Sequence, residues 1–280
     1  MLLMGLWSCE EKDYPGIILN DPGADTTLLD TTYLVDGIPA AQGKVVVIEE
    51  FSGVQCVNCP QGAEAVEAII ANYPDEVVSL TLHAGDFSVP FSSSEEVFDI
   101  EETDDLNTFF EIIGYPAAVI DRTVFEGHDQ EAIAGQLSSW EVFTEERLTL
   151  TTPVNLSIEN TYDEETRKLK TRVEIVYTEA VEEEHKLSLF LAESGIIDPQ
   201  LSENGIIQDY EHKHVVRDML TAARGIVFFE GAKEEGRTIV REFSLTLDEA
   251  WNVEECEVVA FVHESLESKE VLQGAKKKVF

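Results

Sequence analysis

Positive charge is scarce in this sequence. Lys and Arg number 19 against 56 Asp and Glu, a formal charge of −37 over 280 residues. Affinity for nucleic acid rests mainly on Lys and Arg neutralising phosphates, and the same charges drive adhesion to anionic lipid, so neither is an expected partner. No run of about 18 or more apolar residues occurs, which excludes a transmembrane helix. The acidity is not organised for calcium: no loop of alternating Asp or Asn with a central Gly and a twelfth-position Glu is found, and the surplus carboxylates read as solvated surface. Gly-rich phosphate loops, nucleophile elbows and H-E-x-x-H are missing too, so no cofactor is expected and serine-hydrolase or zinc-protease chemistry has no foothold. A length of 280 residues excludes a small disulfide scaffold. What remains is an ordinary globular composition, 44% hydrophobic and long enough for two domains.

The first cysteine closes a short apolar stretch. Residues 1–9 end on Leu6, Trp7, Ser8 and Cys9, and Glu10, Glu11, Lys12 and Asp13 follow at once. This resembles the lipobox of bacterial lipoproteins, which implies cleavage before Cys9 and acylation of its thiol and new amino group. Burying acyl CH₂ groups at about 0.8 kcal/mol each would tether a soluble body to a bilayer. A positive leader region is missing and Trp7 is bulky for its place. The acidic residues behind Cys9 resemble the surface-export signal of lipoproteins in the Bacteroidetes lineage. Residues 13–42, rich in Asp, Gly, Pro and Thr, read as a tether or irregular lead-in.

Cys56 and Cys59 sit where a strand gives way to a helix. Residues 44–51 form a near-continuous β-branched run of the kind buried on both faces of a sheet. A short loop leads to C-V-N-C-P, and Ala63, Val66, Ala68, Ile69 and Ile70 then recur at helical spacing up to Tyr73 and Pro74. At a helix start the unpaired N–H groups and the positive end of the macrodipole stabilise a thiolate. Cys56 is therefore the candidate nucleophile. Cys59, one turn along, is the resolving thiol that closes on a mixed disulfide. No zinc site is expected, because no second CxxC or paired His supplies further ligands.

This unit resembles the thioredoxin superfamily, and the resemblance implies exchange with protein thiols or disulfides. The family's buried acid lies six positions before the first Cys and precedes a Phe; Glu50 and Phe51 hold those positions, which implies proton transfer between Glu50 and Cys59. The family's cis-proline loop corresponds to Gly114, Tyr115 and Pro116, ahead of an apolar run over 117–121. Tyr115 and Pro116 would then present their backbone to an extended peptide substrate. Gln55 stands where the family has Trp, Val57 and Asn58 replace Gly-Pro, and Pro60 follows the second Cys, so redox direction is not implied.

Residues 76–82 read as the next strand, and His83 behind it as a strand-end side chain satisfied by backbone. Residues 95–105 hold seven acids in eleven residues and read as an inserted loop or short helix. A helix over 104–113, N-capped by Thr103 or Asp104, would turn Leu106, Phe109, Phe110 and Ile113 inward. Another lies around 129–146. After Thr151, Thr152 and Pro153 the pattern changes to period two, as in Val154, Leu156 and Ile158 or Leu187, Leu189 and Leu191. Six or more such strands predict a β-sandwich of immunoglobulin-like type. Cys256 reads as a buried structural thiol on one of them. His212 and His214 fall on one face of a predicted strand, and two His without a third ligand make a poor metal site. Residues 201–224 are long for a hairpin loop and read as a binding surface.

As a whole the chain resembles the Omp28-related family of Bacteroidetes envelope proteins, through residues 50–61, 83–87, 212–217, 259–262 and 271–273. The expected organisation is a signal remnant over 1–8 and a lipid-anchored tether over 9–42. An α/β thioredoxin-like domain over 43–150 and an all-β immunoglobulin-like sandwich over 151–280 complete it. The resemblance implies an outer-membrane, surface-exposed lipoprotein that meets the membrane only through its lipid anchor and has other outer-membrane proteins as partners. Two readings of Cys56 and Cys59 stay open: exchange on extracytoplasmic protein thiols or disulfides, or a structural disulfide in a surface binding or assembly protein.

Overall fold

The computed structural model describes residues 28–265 and 268–280. Among these the chain is mostly β, with three α-helices, none long and apolar enough to cross a membrane. The long sheet is organised by β2 (Val46–Ser52), every residue of which is buried. Alternate side chains of a strand point to opposite faces. Val46 and Ile48 pack on Val66 and Ile69 of α1 (Cys59–Asn72), while Val47 and Phe51 meet Leu106 of α2 (Glu101–Phe109) and Phe110 on the other side. Cover on both faces explains the near-continuous apolar run, which Glu49 and Glu50 alone interrupt before Phe51. β3 (Val77–His83) pairs parallel with β2, and β4 (Ala117–Ile120) and then β5 (Ala132–Ala134) add antiparallel on the other flank. α3 (Leu137–Leu148) covers the α1 side with the fully buried Trp140.

The sheet continues past β3 with strands from the second half of the chain. β11 (Val215–Met219) lies parallel to β3, Val215 opposite Thr81, and antiparallel to β8 (His185–Glu193). β14 (Cys256–Glu264) and β15 (Val271–Lys278) follow, giving the order β15-β14-β8-β11-β3-β2-β4-β5, with β12 (Ile226–Val227) beside β8. A second, four-stranded antiparallel sheet is ordered β1 (Asp30–Leu34), β13 (Arg237–Thr246), β7 (Lys168–Tyr177), β6 (Val154–Asp163). Its Leu156, Val173 and Ile175 pack against Leu189, Val258 and Ala260 of the long sheet. β9 (Ile196–Ser202) and β10 (Gly205–His212) form a separate hairpin between β8 and β11.

Four local expectations change. Residues 30–34, read as irregular lead-in, form β1 against β13, an edge strand too exposed to need an apolar pattern. α2 starts at Glu101, not 104, because Thr103 acts from inside its first turn: its hydroxyl accepts the Ile100 N–H at 3.2 Å and lies 2.8 Å from the His83 carbonyl. Ile113 falls beyond the helix end and is 86% exposed rather than inward. The stretch 129–146 is β5 followed by α3, separated at Gly135, whose φ of 66° ends the strand.

A buried ionic hub lies at the end of β4. Asp121 accepts the Val47 N–H at 2.9 Å through one carboxylate oxygen, and its other oxygen meets Lys44 Nζ at 2.8 Å and Arg147 Nε at 3.0 Å. Lys44 also donates to the Val271 carbonyl, and the Val271 N–H donates to the carbonyl of Asp121, both within 2.9 Å. One carboxylate thereby ties β2, α3 and β15.

Candidate functional site

Cys56 and Cys59 form a disulfide across the start of α1. Cys59 is the first helical residue and Pro60 the next, where the missing N–H is harmless. Two residues further, Gly62 sets how closely the helix approaches the sheet. A Cβ there would fall 2.7 Å from Pro116 and 2.8 Å from Glu50 Oε1, so only glycine fits. The Tyr115–Pro116 peptide is cis. Helix start, buried acid and cis-proline thus converge on Gly62, which sequence reasoning did not single out.

Glu50 lies on the α1 face of β2 and is fully buried. Its Oε2 accepts from the Thr81 hydroxyl at 3.3 Å, and its Oε1 has no protein partner. Burial pushes its pKa up to about 8, so the carboxyl holds its proton at neutral pH. Tyr115 hydrogen-bonds Asn107 Oδ1 through its hydroxyl and packs its ring 5.4 Å from Phe87.

The β9–β10 hairpin crosses the CxxC loop. The buried Gln200 side chain donates to the carbonyls of Cys56 at 3.1 Å and Gly53 at 3.2 Å, and the Leu201 N–H donates to the Val54 carbonyl at 2.8 Å. Cys56 and Cys59 are only 3% and 2% exposed, while Val57 and Asn58 between them face solvent. Replacing Gln200 with Ala would leave the Cys56 and Gly53 carbonyls without this donor, at about 1–3 kcal/mol. The disulfide of Gln200→Ala is expected to be reduced faster by dithiothreitol than that of the unaltered protein; equal rates would show that the hairpin does not restrict access.

Two histidines expected on one strand face are placed differently. His212 ends β10, and His214 sits in the turn to β11 with φ 54°, its carbonyl accepting the Thr81 N–H at 2.7 Å. His214 Nε2 is 2.9 Å from Glu67, and Lys213 Nζ is 2.6 Å from the same carboxylate, so α1 is clamped to the base of the hairpin. Burial opposes the charge on His214, but the carboxylates of Glu257 and Glu67 outweigh it and raise its pKa. The hydrogen bond from His214 in turn draws Glu67 down to about 2. His83 is not satisfied by backbone through its Nδ1, which is buried without a protein partner; its ring packs on Phe98 and lies 5.6 Å from the His212 ring. Glu50, Cys59, His83, Tyr210, His212 and His214 all line one cavity of about 410 Å³.

Among the described residues no group of three or more His, Cys, Asp or Glu side chains is placed to hold a metal ion. Cys256 is buried on β14, and burial pushes its thiol up to about 12, which makes it inert. Cys9 lies outside the described residues.

The model of the outer membrane protein Omp28 family matches residues 103–280, more than half of the sequence. The chain belongs to the Omp28 family. Its location is accordingly the outer membrane. The Omp28 match takes in Tyr115, Pro116 and the hairpin but begins after Cys56 and Cys59. No curated protein matches the chain. Among solved structures, HBP35 of Porphyromonas gingivalis is 18% identical with a TM-score of 0.65, over 86% of this chain and 77% of its own. Protein AGR_C_4864 from Agrobacterium tumefaciens is 13% identical with a TM-score of 0.51, over 86% of this chain and 97% of its own. A domain of the outer membrane lipoprotein Omp28 from Porphyromonas gingivalis is 16% identical with a TM-score of 0.33, over 46% of this Omp28-family chain and 88% of its own.

Proposed function

We propose that this Omp28-family protein carries out thiol–disulfide exchange on extracytoplasmic proteins, using a thioredoxin-like unit built on β2, α1, β3, β4 and β5. The carrying observation is the meeting of the Cys56–Cys59 disulfide, the buried Glu50 and cis Pro116 around Gly62. In the reducing direction, the Cys56 thiolate attacks a substrate disulfide and one substrate thiolate leaves. Glu50 takes the proton of Cys59, whose thiolate attacks Cys56 Sγ, closes the protein disulfide and releases the second substrate thiolate. The reverse sequence oxidises a substrate dithiol. A Glu50 pKa of about 8 lies close to that of a free thiol, about 8.5, so the transfer is nearly balanced. With its pKa raised by burial, Glu50 would be left protonated by such a transfer. Tyr115 and Pro116 would receive the extended substrate, and the second sheet with β8 and β14 would act as an immunoglobulin-like module for outer-membrane partners. Acylated Cys9 would anchor the whole.

Cys56→Ser is expected to abolish both reduction of a model disulfide and oxidation of a model dithiol. Wild-type protein that does neither sinks this function. The near-complete burial of both sulfurs favours a second reading, a structural disulfide in a binding or assembly protein. The redox potential separates them: structural disulfides lie below about −300 mV, and exchange-active ones above.

A further inference from the structure

Thiol exchange makes a demand that Glu50 cannot meet alone. Each turnover moves one proton between Cys59 and the Glu50 carboxyl, and that proton must then reach, or come from, solvent. Glu50 is fully buried in mid-sheet, with β3 and β4 on its flanks and Gly62 and Pro116 in contact above it. One direction is left. The cavity of about 410 Å³ runs from Glu50 and Cys59 to a rim formed by Glu64 and Glu67 of α1 and by Glu211 and Lys213 of the hairpin.

We propose that this cavity is a water-filled proton path between Glu50 and solvent, with His83 holding the innermost water; its use in catalysis rests on the function proposed above.

The lining meets the conditions for buried water. Several molecules fit, at about 30 Å³ each in the liquid, and a buried water needs about two to four polar partners. Glu50 Oε1 and His83 Nδ1 are both buried without a protein partner, and Thr81 and Tyr210 line the same cavity. The proton balance is simple. When Glu50 has taken the Cys59 proton, its O–H passes that proton to the adjoining water, which hands one on toward the rim, and Glu50 returns to carboxylate. In the other direction the same chain delivers a proton to Glu50, and Cys59 leaves the disulfide as a thiol. Burial keeps His83 and His212 uncharged, and the cationic groups of the lining, His214 and Lys213, are both held by the Glu67 carboxylate at the rim. The second half of the protein supplies one wall, through Tyr210 and His212.

Infrared spectroscopy of the disulfide form, mixed rapidly into D₂O, reads the path without any thiol substrate. The protonated carboxyl band of Glu50, assigned by its loss in Glu50→Gln, should shift well ahead of exchange at the core amides of β2, which requires opening of the sheet. Ala63→Phe, at the half-buried mouth of the cavity, should slow the shift by about tenfold or more, the effect of a barrier raised by about 1.4 kcal/mol. His83→Phe keeps the aromatic packing on Phe98 and should slow it as well. A wild-type band that exchanges no faster than the β2 amides, or an Ala63→Phe band that exchanges at the wild-type rate, overturns the path. Should His83→Phe fail to fold, Ala63→Phe decides alone. Fast, blockable exchange in a protein with no thiol activity removes the proposed function and leaves the path standing; slow exchange in an active protein does the opposite.

Discussion

Asp121→Ala is expected to lower the unfolding free energy by about 3–5 kcal/mol, the usual cost of removing one partner from a buried ion pair. The deletion leaves Lys44 without a paired carboxylate beside Arg147, which keeps only Glu270, and takes the acceptor from the Val47 N–H. Burial already lowers the Lys44 pKa, so without its carboxylate this amine sheds its proton or draws in water. Asp121 also holds a φ of 47°, a conformation that Asp and Asn adopt far more readily than Ala. Asp121→Asn keeps the conformation and an acceptor for Val47 while losing the charge, and should fall between the two. Guanidinium titration checks both: the midpoint should drop with an unchanged slope. An Ala variant within about 0.5 kcal/mol of wild type, the range of ordinary surface changes, would mean that the hub carries little of the stability.

Glu50→Gln should have its largest effect at alkaline pH, and in the stabilising direction. The folded-state pKa of about 8 lies above the ordinary value of 4.5, so between these pH values the native state binds a proton that the unfolded chain has released. Stability falls across that window as pH rises, by about 1.4 kcal/mol per pH unit and about 4–5 kcal/mol in total for this group. Gln cannot ionise and has no such slope. Wild type and variant should therefore differ least near pH 4 and increasingly up to pH 8, with the variant gaining. Denaturation curves at several pH values test this, and parallel profiles would show that Glu50 ionises freely. The same substitution should slow thiol exchange, so stability and activity are expected to move in opposite directions at one residue.

The sequence signals for the proposed site are local. Cys56, Cys59 and Glu50 lie on one strand–loop–helix passage, and Tyr115-Pro116 precedes a run of small apolar residues; the structure packs Glu50 and Pro116 against Gly62, three residues after Cys59. Gln200 could not be found in this way. It sits in an ordinary strand, and its importance arises only when that strand reaches the Cys56 carbonyl from far along the chain. His214 was misplaced because nothing in its neighbours announces a positive φ in a residue that is not glycine. In the fold, alternation identified β6, β7, β8, β13, β14 and β15, but residues 201–224, read as a long loop, hold β10 and β11, which are short or too exposed to carry an apolar pattern. Alternation carries no record of which strand lies beside which, so the passage from β3 to β11 and β8 could not be read. The acidic surface was plain from composition, but the buried charges of Lys44, Asp121 and Arg147 were not, since a residue type alone does not distinguish an ion in water from one in the core.

The place of β11 between β3 and β8 bears on the order of assembly. An outer-membrane protein crosses the envelope during its synthesis and delivery, and β2, β3, β4 and β5 all precede β11 in the chain. Until Val215 has arrived, the outer edge of β3 is an open row of backbone donors and acceptors, the kind of edge that recruits foreign strands. Gln200 and the rest of the hairpin arrive just before it. The cysteine pair therefore stays without its cover until the chain has been delivered as far as His212, and in that interval Cys56 and Cys59 stand open to the oxidants and thiols of the compartment they pass through.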